Sequence, residues 1–133
     1  MPTNIQLPYT RYLDPAGVPI GSLPAWAADL PLLVKLYRQM QLSRLFDLKV
    51  VALQRTGRIG TYAPSLGQEA IGVAIGSLMR REDVLVPYYR DTAVQLLRGV
   101  HMEEILQFWG GDERGNAYRD PAVAEDFPLC VPI

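Results

Sequence analysis

The sequence predicts an α/β fold, and three observations predict it. Apolar residues recur at helical spacing between Asp29 and Arg55, a β-prone run Val84-Leu85-Val86 sits between Asp83 and Pro87, and further helical patterns follow that run. Helix, strand, helix is the order of an α/β layer, and a strand covered on both faces reads as a continuous apolar run of this kind. One strand does not make a sheet, so the sheet itself is an expectation that rests partly on the motifs below. The chain divides into an extended, Pro-rich arm over residues 1–30 and a domain over 31–133.

Pro2, Pro8, Pro15, Pro19, Pro24 and Pro31 all precede the first long periodic segment. Within the arm, Asp14-Pro15-Ala16-Gly17 has Pro at the second position and Gly at the fourth, as a type I turn favours, and the arm is expected to fold back on itself. Its apolar residues, Tyr9, Tyr12, Leu13, Val18, Ile20 and Trp26 among them, need a larger body or a second subunit to cover them. Asp29 followed by Pro31 is a helix start, since a carboxylate caps orphan N–H groups and Pro in the first turn sacrifices no internal bond. Leu33, Leu36, Tyr37, Met40, Phe46, Val50 and Leu53 mark the expected buried stripe, and Gly57 the stop.

A loop through Tyr62, Pro64 and Ser65 leads to a second helix, expected over 68–80, in which Ala70, Gly72, Ala74, Gly76 and Ser77 put small residues on more than one face. The glycines and serine lower helix propensity and are tolerated where another backbone packs closely, so this helix is expected to be central and buried. After the Val84–Val86 strand, Asp91 is positioned to cap a helix through Arg98 that Gly99 closes, and a further helix covers Met102 to Trp109. No internal repeat or low-complexity tract is present.

Thirteen basic and fourteen acidic residues give a formal net charge of -1, and eleven of the basic residues are Arg scattered through the chain, which argues against a nucleic-acid partner. No apolar run is long enough to cross a bilayer and no signal-peptide pattern opens the chain, so a soluble, cytoplasmic protein is expected. The single cysteine, Cys130, has no partner for an internal disulfide or a metal-ligand pair and reads as a buried, inert thiol. His101, the only histidine, lies between Gly99 and a helix start, where a capping or surface role fits better than proton transfer.

Four ordered patterns carry a resemblance. They are Arg44-Leu45-Phe46-Asp47 with Leu53-Gln54-Arg55-Thr56-Gly57-Arg58, then Tyr62-Ala63-Pro64-Ser65-Leu66-Gly67-Gln68-Glu69-Ala70, then Asp83-Val84-Leu85-Val86-Pro87-Tyr88-Tyr89-Arg90-Asp91, and last Val131-Pro132-Ile133. In this order they resemble the alpha subunit of the thiamine-diphosphate-dependent, decarboxylating first component of 2-oxoacid dehydrogenase complexes, most like the bacterial pyruvate dehydrogenases. The resemblance implies the N-terminal part of a thiamine-diphosphate-binding fold, a parallel sheet flanked by helices, and a chain that stops before the cofactor site is complete.

What it implies for single residues is specific. Tyr89 and Arg90, with Tyr88 beside them, would bind the cofactor's diphosphate, for which a planar guanidinium and a phenol are suitable donors. Without the resemblance, Arg90 reads as a surface arginine paired with an acid. Ile133 would prop the cofactor into its bent shape and Val131 would offer a backbone group to the pyrimidine, where the bare sequence shows only apolar residues. Glu69 reads as a structural carboxylate in a first helical turn, and Gly72 and Gly76 as packing residues of a helix buried between subunits. No catalytic residue and no metal ligand is assigned in this chain, because the family's Gly-Asp-Gly motif for Mg²⁺ is absent: Gly111-Asp112-Glu113 lacks the second glycine.

The implied activity is oxidative decarboxylation of pyruvate with transfer of the acetyl unit to a lipoyl group. The implied partners are a beta subunit in an α2β2 heterotetramer and a lipoyl acyltransferase, and the fragment alone is expected to be inactive. A branched-chain 2-oxoacid or acetoin dehydrogenase is the alternative substrate class. Alternatives of another class are a non-catalytic assembly module that contacts a beta subunit through the arm and the small-residue helix, and an unrelated helical interaction domain.

Overall fold

The computed structural model describes residues 8–126, apart from the side chains at 122, 125 and 126. The chain separates into two compact units, Met1–Leu33 and Val34–Ile133. In the first, Asp14 organises a tight turn: Gly17 N–H donates to the Asp14 carbonyl at 3.0 Å, and Ala16 and Val18 N–H groups both donate to its carboxylate at 2.8 Å. A single antiparallel bridge joins Leu13 to Pro19 across this turn. A 3-10 turn over Ala25–Ala28 follows, and Asp29 then caps α1, Leu30–Arg55, by accepting the Leu32 N–H at 3.0 Å.

In the second unit, α1 leads to α2, Glu69–Leu78, α3, Thr92–Leu97, α4, Met102–Trp109, a 3-10 turn over Glu113–Asn116, and α5, Pro121–Asp126. The α1 stop comes where Gly57 was expected to place it. Gly57 takes φ 70°, which lets its N–H reach the Gln54 carbonyl and the Arg58 N–H reach the Leu53 carbonyl, satisfying carbonyls that a helix end leaves orphaned. The ends of α3 at Gly99 and α4 at Gly111 repeat this paired pattern of bonds.

The core gathers Phe46 and Val50 of α1, Tyr62 of the following loop, Leu85, Val94 of α3, Val100, Ile105 of α4 and Val123 of α5. On α1 the buried residues are Ser43, Phe46, Asp47 and Val50, a narrow stripe at i, i+3, i+4 and i+7. The broader stripe expected from sequence is corrected here: Tyr37 is exposed, and Leu33, Leu36, Met40 and Leu53 are only half-buried.

The expected sheet is the main correction. Among the described residues there is no β-strand, and the second unit is built of helices joined by irregular segments. Val84–Val86 is irregular and unpaired. Only Leu85 enters the core, while Val84 is 59% and Val86 80% exposed. The physical reason is that a buried strand needs a neighbour to take its backbone hydrogen bonds and apolar cover on both faces. This run has the side chains of such a strand but neither condition. Its position is fixed instead by Arg98, whose guanidinium donates to the Arg80, Arg81 and Asp83 carbonyls at 2.6, 3.3 and 2.8 Å.

The small-residue helix meets a close neighbour within the chain. A Cβ at Gly72 would lie 2.7 Å from Ala93 Cβ, and one at Gly76 would lie 2.9 Å from Leu97 Cδ1, so both glycines admit α3 at short range. The helix is not buried all round as expected, because Ile71, Ile75 and Leu78 are exposed. Gly72→Ala should destabilise the chain by about 1–3 kcal/mol through overpacking, and the double variant G72A/A93G should recover part of the loss in urea denaturation. Unchanged stability in G72A would contradict the close approach.

Candidate functional site

The residues singled out by sequence pattern converge on the loop between α1 and α2. Asp47, one turn beyond Ser43 on the buried stripe of α1, is 1% exposed. A carboxylate in such a place is costly unless hydrogen-bonded, and its Oδ1 accepts from Tyr62 Oη at 2.8 Å, Ser65 N–H at 2.7 Å and Ser65 Oγ at 3.0 Å. Burial, reinforced by the bond to Asp47, pushes the Tyr62 phenol above its ordinary range. The Tyr62 ring also packs edge-on against Trp109, with centroids 5.1 Å apart.

Three residues before Asp47, Arg44 takes the other end of the loop. Its Nε and Nη2 donate to Glu69 Oε1 and Oε2 at 2.5 and 3.0 Å, a two-pronged pair, and Glu69 Oε2 also accepts the Gly67 N–H at 3.0 Å. The Arg44 bond is the largest cause, aided by the backbone N–H groups, that holds the Glu69 carboxyl down at about 2. Glu69 is therefore the structural carboxylate that its place in the first turn of α2 implied.

The three cofactor-binding residues expected in the third motif, Tyr88, Tyr89 and Arg90, lie together just before α3. Asp91 N–H donates to the Tyr88 carbonyl at 2.9 Å, and Tyr88 N–H donates back to the Asp91 carboxylate at 2.7 Å. That reciprocal closure makes Tyr89 and Arg90 the two central residues of a tight turn. It also corrects the expected cap: Asp91 stands at the N-cap position of α3, but its carboxylate bonds backward to Tyr88 and not to the helix. The Tyr88 and Tyr89 rings stack at a tilt, with centroids 3.8 Å apart, and the Arg90 guanidinium lies 5.0 Å from the Tyr89 ring centroid. The Tyr88 phenol and then Arg90 hold the Tyr89 phenol below its usual value.

Arg90 donates from Nη1 to the Pro64 carbonyl, so the turn and the α1–α2 loop are joined. The other two expected ligands, Val131 and Ile133, lie outside the described residues, as do Cys130 and Pro132. His101 precedes α4, and its N–H donates to Glu104 Oε2 at 2.7 Å. Among the described residues no three His, Cys, Asp or Glu side chains gather as a metal site, and no helix is long and apolar enough to cross a membrane.

Sequence reasoning recognised Arg44 and Asp47 as a pattern but assigned neither a task. The available signal was a polar pair, Ser43 and Asp47, in line with Phe46 and Val50 on the stripe of α1 that enters the core.

Comparison with known proteins places these motifs in one family. The dehydrogenase E1 component family matches residues 37–123, a span that holds Arg44, Asp47, the stapled loop and the Tyr88–Asp91 turn, and the chain belongs to that family. It is 40% identical over 94 residues to the pyruvate dehydrogenase E1 component subunit alpha of Mycoplasma pneumoniae, covering 71% of this chain and 26% of that protein. It is 36% identical over 92 residues to the subunit of the same name from Bacillus subtilis, covering 69% and 25%. With the 3-methyl-2-oxobutanoate dehydrogenase subunit alpha of Mycobacterium tuberculosis it shares 33% identity over 132 residues, covering 98% and 35%. The chain thus spans about a quarter to a third of the length of these relatives. No solved structure matches it.

The depressed carboxyl of Glu69 sets a pH window. Its folded value, about 2, lies below the ordinary 4.5, so its contribution is complete above pH 4.5 and is lost as pH falls toward 2. Glu69→Gln should cost about 1–2 kcal/mol at neutral pH, since Arg44 is half exposed. It should also flatten the stability profile between those two pH values; an equally steep profile in the variant would contradict the assignment.

Proposed function

We propose that the chain is part of the alpha subunit of a thiamine-diphosphate-dependent 2-oxoacid dehydrogenase, in which Tyr89 and Arg90, with Tyr88, bind the cofactor's diphosphate. The observation that carries this reading is the turn at Tyr88–Asp91, which gathers a guanidinium and two phenols at one place. The donor chemistry fits the group. Arginine carries five N–H donors, and the acceptor Arg90 meets at Pro64 is a neutral carbonyl, so that bond leaves its positive charge uncompensated and available to an anion. Tyrosine hydroxyls beside it supply neutral donors.

Thiamine diphosphate, when bound, supplies the electron sink for decarboxylation. The part of the work assigned to this chain is binding and orientation: Arg90 and the two phenols hold the diphosphate end, and Val131 and Ile133 are assigned to the pyrimidine end by resemblance. Mg²⁺ ligands are assigned to a part of the subunit other than this chain. The proposed partners are a beta subunit in an α2β2 heterotetramer, a lipoyl acyltransferase that accepts the acyl group, and a 2-oxoacid substrate, and the proposed location is the cytoplasm.

Pyruvate is the preferred substrate, supported by 36–40% identity to alpha subunits named as pyruvate dehydrogenases. A branched-chain 2-oxoacid is the second reading, favoured by the mycobacterial 3-methyl-2-oxobutanoate relative, which matches 98% of this chain. Comparing kcat/KM for pyruvate and 3-methyl-2-oxobutanoate in the assembled enzyme separates them. A non-catalytic module that binds a beta subunit is supported by the exposed Ile71, Ile75 and Leu78 of α2, and binding of a beta subunit with no dependence on thiamine diphosphate would favour it.

Arg90→Ala in the assembled enzyme should raise the thiamine diphosphate concentration needed for half-maximal activity by roughly 10- to 100-fold, as loss of a charge-assisted, two-pronged contact does. An unchanged requirement would remove Arg90 from the site.

A further inference from the structure

We infer that Asp47 is a positioning residue for Arg90: by fixing the Tyr62–Ser65 segment from beneath, it sets where the Pro64 carbonyl holds the guanidinium. This rests on the reading of Arg90 as a diphosphate ligand. Among the described residues the Asp47 carboxylate bonds to Tyr62 and Ser65 and not to Tyr88, Tyr89 or Arg90, so its effect on the turn passes through the loop.

The path runs from Asp47 by hydrogen bonds to two loop residues, along the backbone to the Pro64 carbonyl between them, and by a hydrogen bond to Arg90. Asp47 Oδ1 fixes Tyr62 by its side chain and Ser65 by both backbone and side chain, at 2.7 to 3.0 Å. Pro64 lies between those two residues, so its carbonyl has little freedom of its own, and that carbonyl accepts from Arg90 Nη1. Arg90 is thereby held through the loop, while the Tyr89 ring lies 5.0 Å from its guanidinium. A long side chain that is already oriented loses less rotamer freedom when it binds an anion. A substitution at Asp47 or Tyr62 leaves the Arg90 side chain in the molecule, so it perturbs orientation without removing the ligand.

The test has two arms. In the 133-residue chain without cofactor, NMR of the Arg90 guanidinium should show hindered rotation about its Cζ–Nε bond, faster in Asp47→Ala and in Tyr62→Phe and near the original rate in Asp47→Asn, which keeps an acceptor oxygen. Thermal unfolding identifies variants that remain folded; where D47A does not fold, Y62F, which keeps the ring, decides. Free rotation in the unaltered chain, or rotation unchanged in folded Y62F, overturns the positioning role whether or not Arg90 binds cofactor.

In the assembled enzyme, fluorescence titration with thiamine diphosphate should give a Kd raised about tenfold by Y62F. Arg114→Ala, which removes an exposed ion pair with Asp112 outside the loop and the turn, should leave the Kd alone. In an Arg90→Ala background Y62F should add nothing, whereas an undiminished additional effect overturns the proposal. A normal Kd in R90A alone counts against the ligand reading and leaves the NMR arm to judge the positioning.

Discussion

The Asp47 carboxylate is the constraint around which the second unit is organised. It sits on the face of α1 that enters the core, where a charge without donors is costly, and the Tyr62–Ser65 loop brings three donors to it. The loop must therefore pass directly over α1 at that level. Arg44, one turn earlier on the same helix, repeats the arrangement with reversed charge and ties down Gly67 and the first residue of α2 through Glu69. Two ionised side chains from one helix thus determine the course of the loop and the start of the next helix. A buried polar network of this kind specifies one loop course in a way that apolar contacts alone do not.

From that fixed loop the rest of the unit follows by contact. Tyr62 brings Trp109 of α4 toward α1, and α3 is pressed against α2 at Gly72 and Gly76. The turn that presents Tyr88, Tyr89 and Arg90 lies between the Arg98 clamp on one side and the Pro64 carbonyl on the other. The family match covers the stretch of chain that holds these bonds, which gives the ordered motifs a physical meaning: Arg44 with Glu69, Asp47 with Tyr62 and Ser65, and Arg90 with Pro64 are three sets of hydrogen bonds on the one α1–α2 loop.

Much of the helical layout was legible in the sequence because its signals are local. Asp29 and Gly57 marked the ends of α1 through capping chemistry, and Met102 to Trp109 was bounded correctly by His101 and Gly110. The second helix was drawn slightly long, 68–80 against Glu69–Leu78, because helix ends carry weak signals where no cap side chain is present. The strand at Val84–Val86 was misread because β-propensity describes what a pleated surface accepts, and whether that surface exists depends on distant residues. The placing of Tyr88, Tyr89 and Arg90 together before α3 was legible through a motif. The task of Asp47 was not, since its bonds cross 15 and 18 residues and leave no periodic trace.

The most direct measurement is amide hydrogen exchange at Ser65 and Gly67, two loop residues whose N–H groups donate to the Asp47 and Glu69 carboxylates. If those carboxylates hold the loop, both amides exchange as slowly as amides in the middle of α1. Exchange as fast as at the exposed Thr56–Gly57 turn would show that the loop moves independently of α1 and would contradict the account.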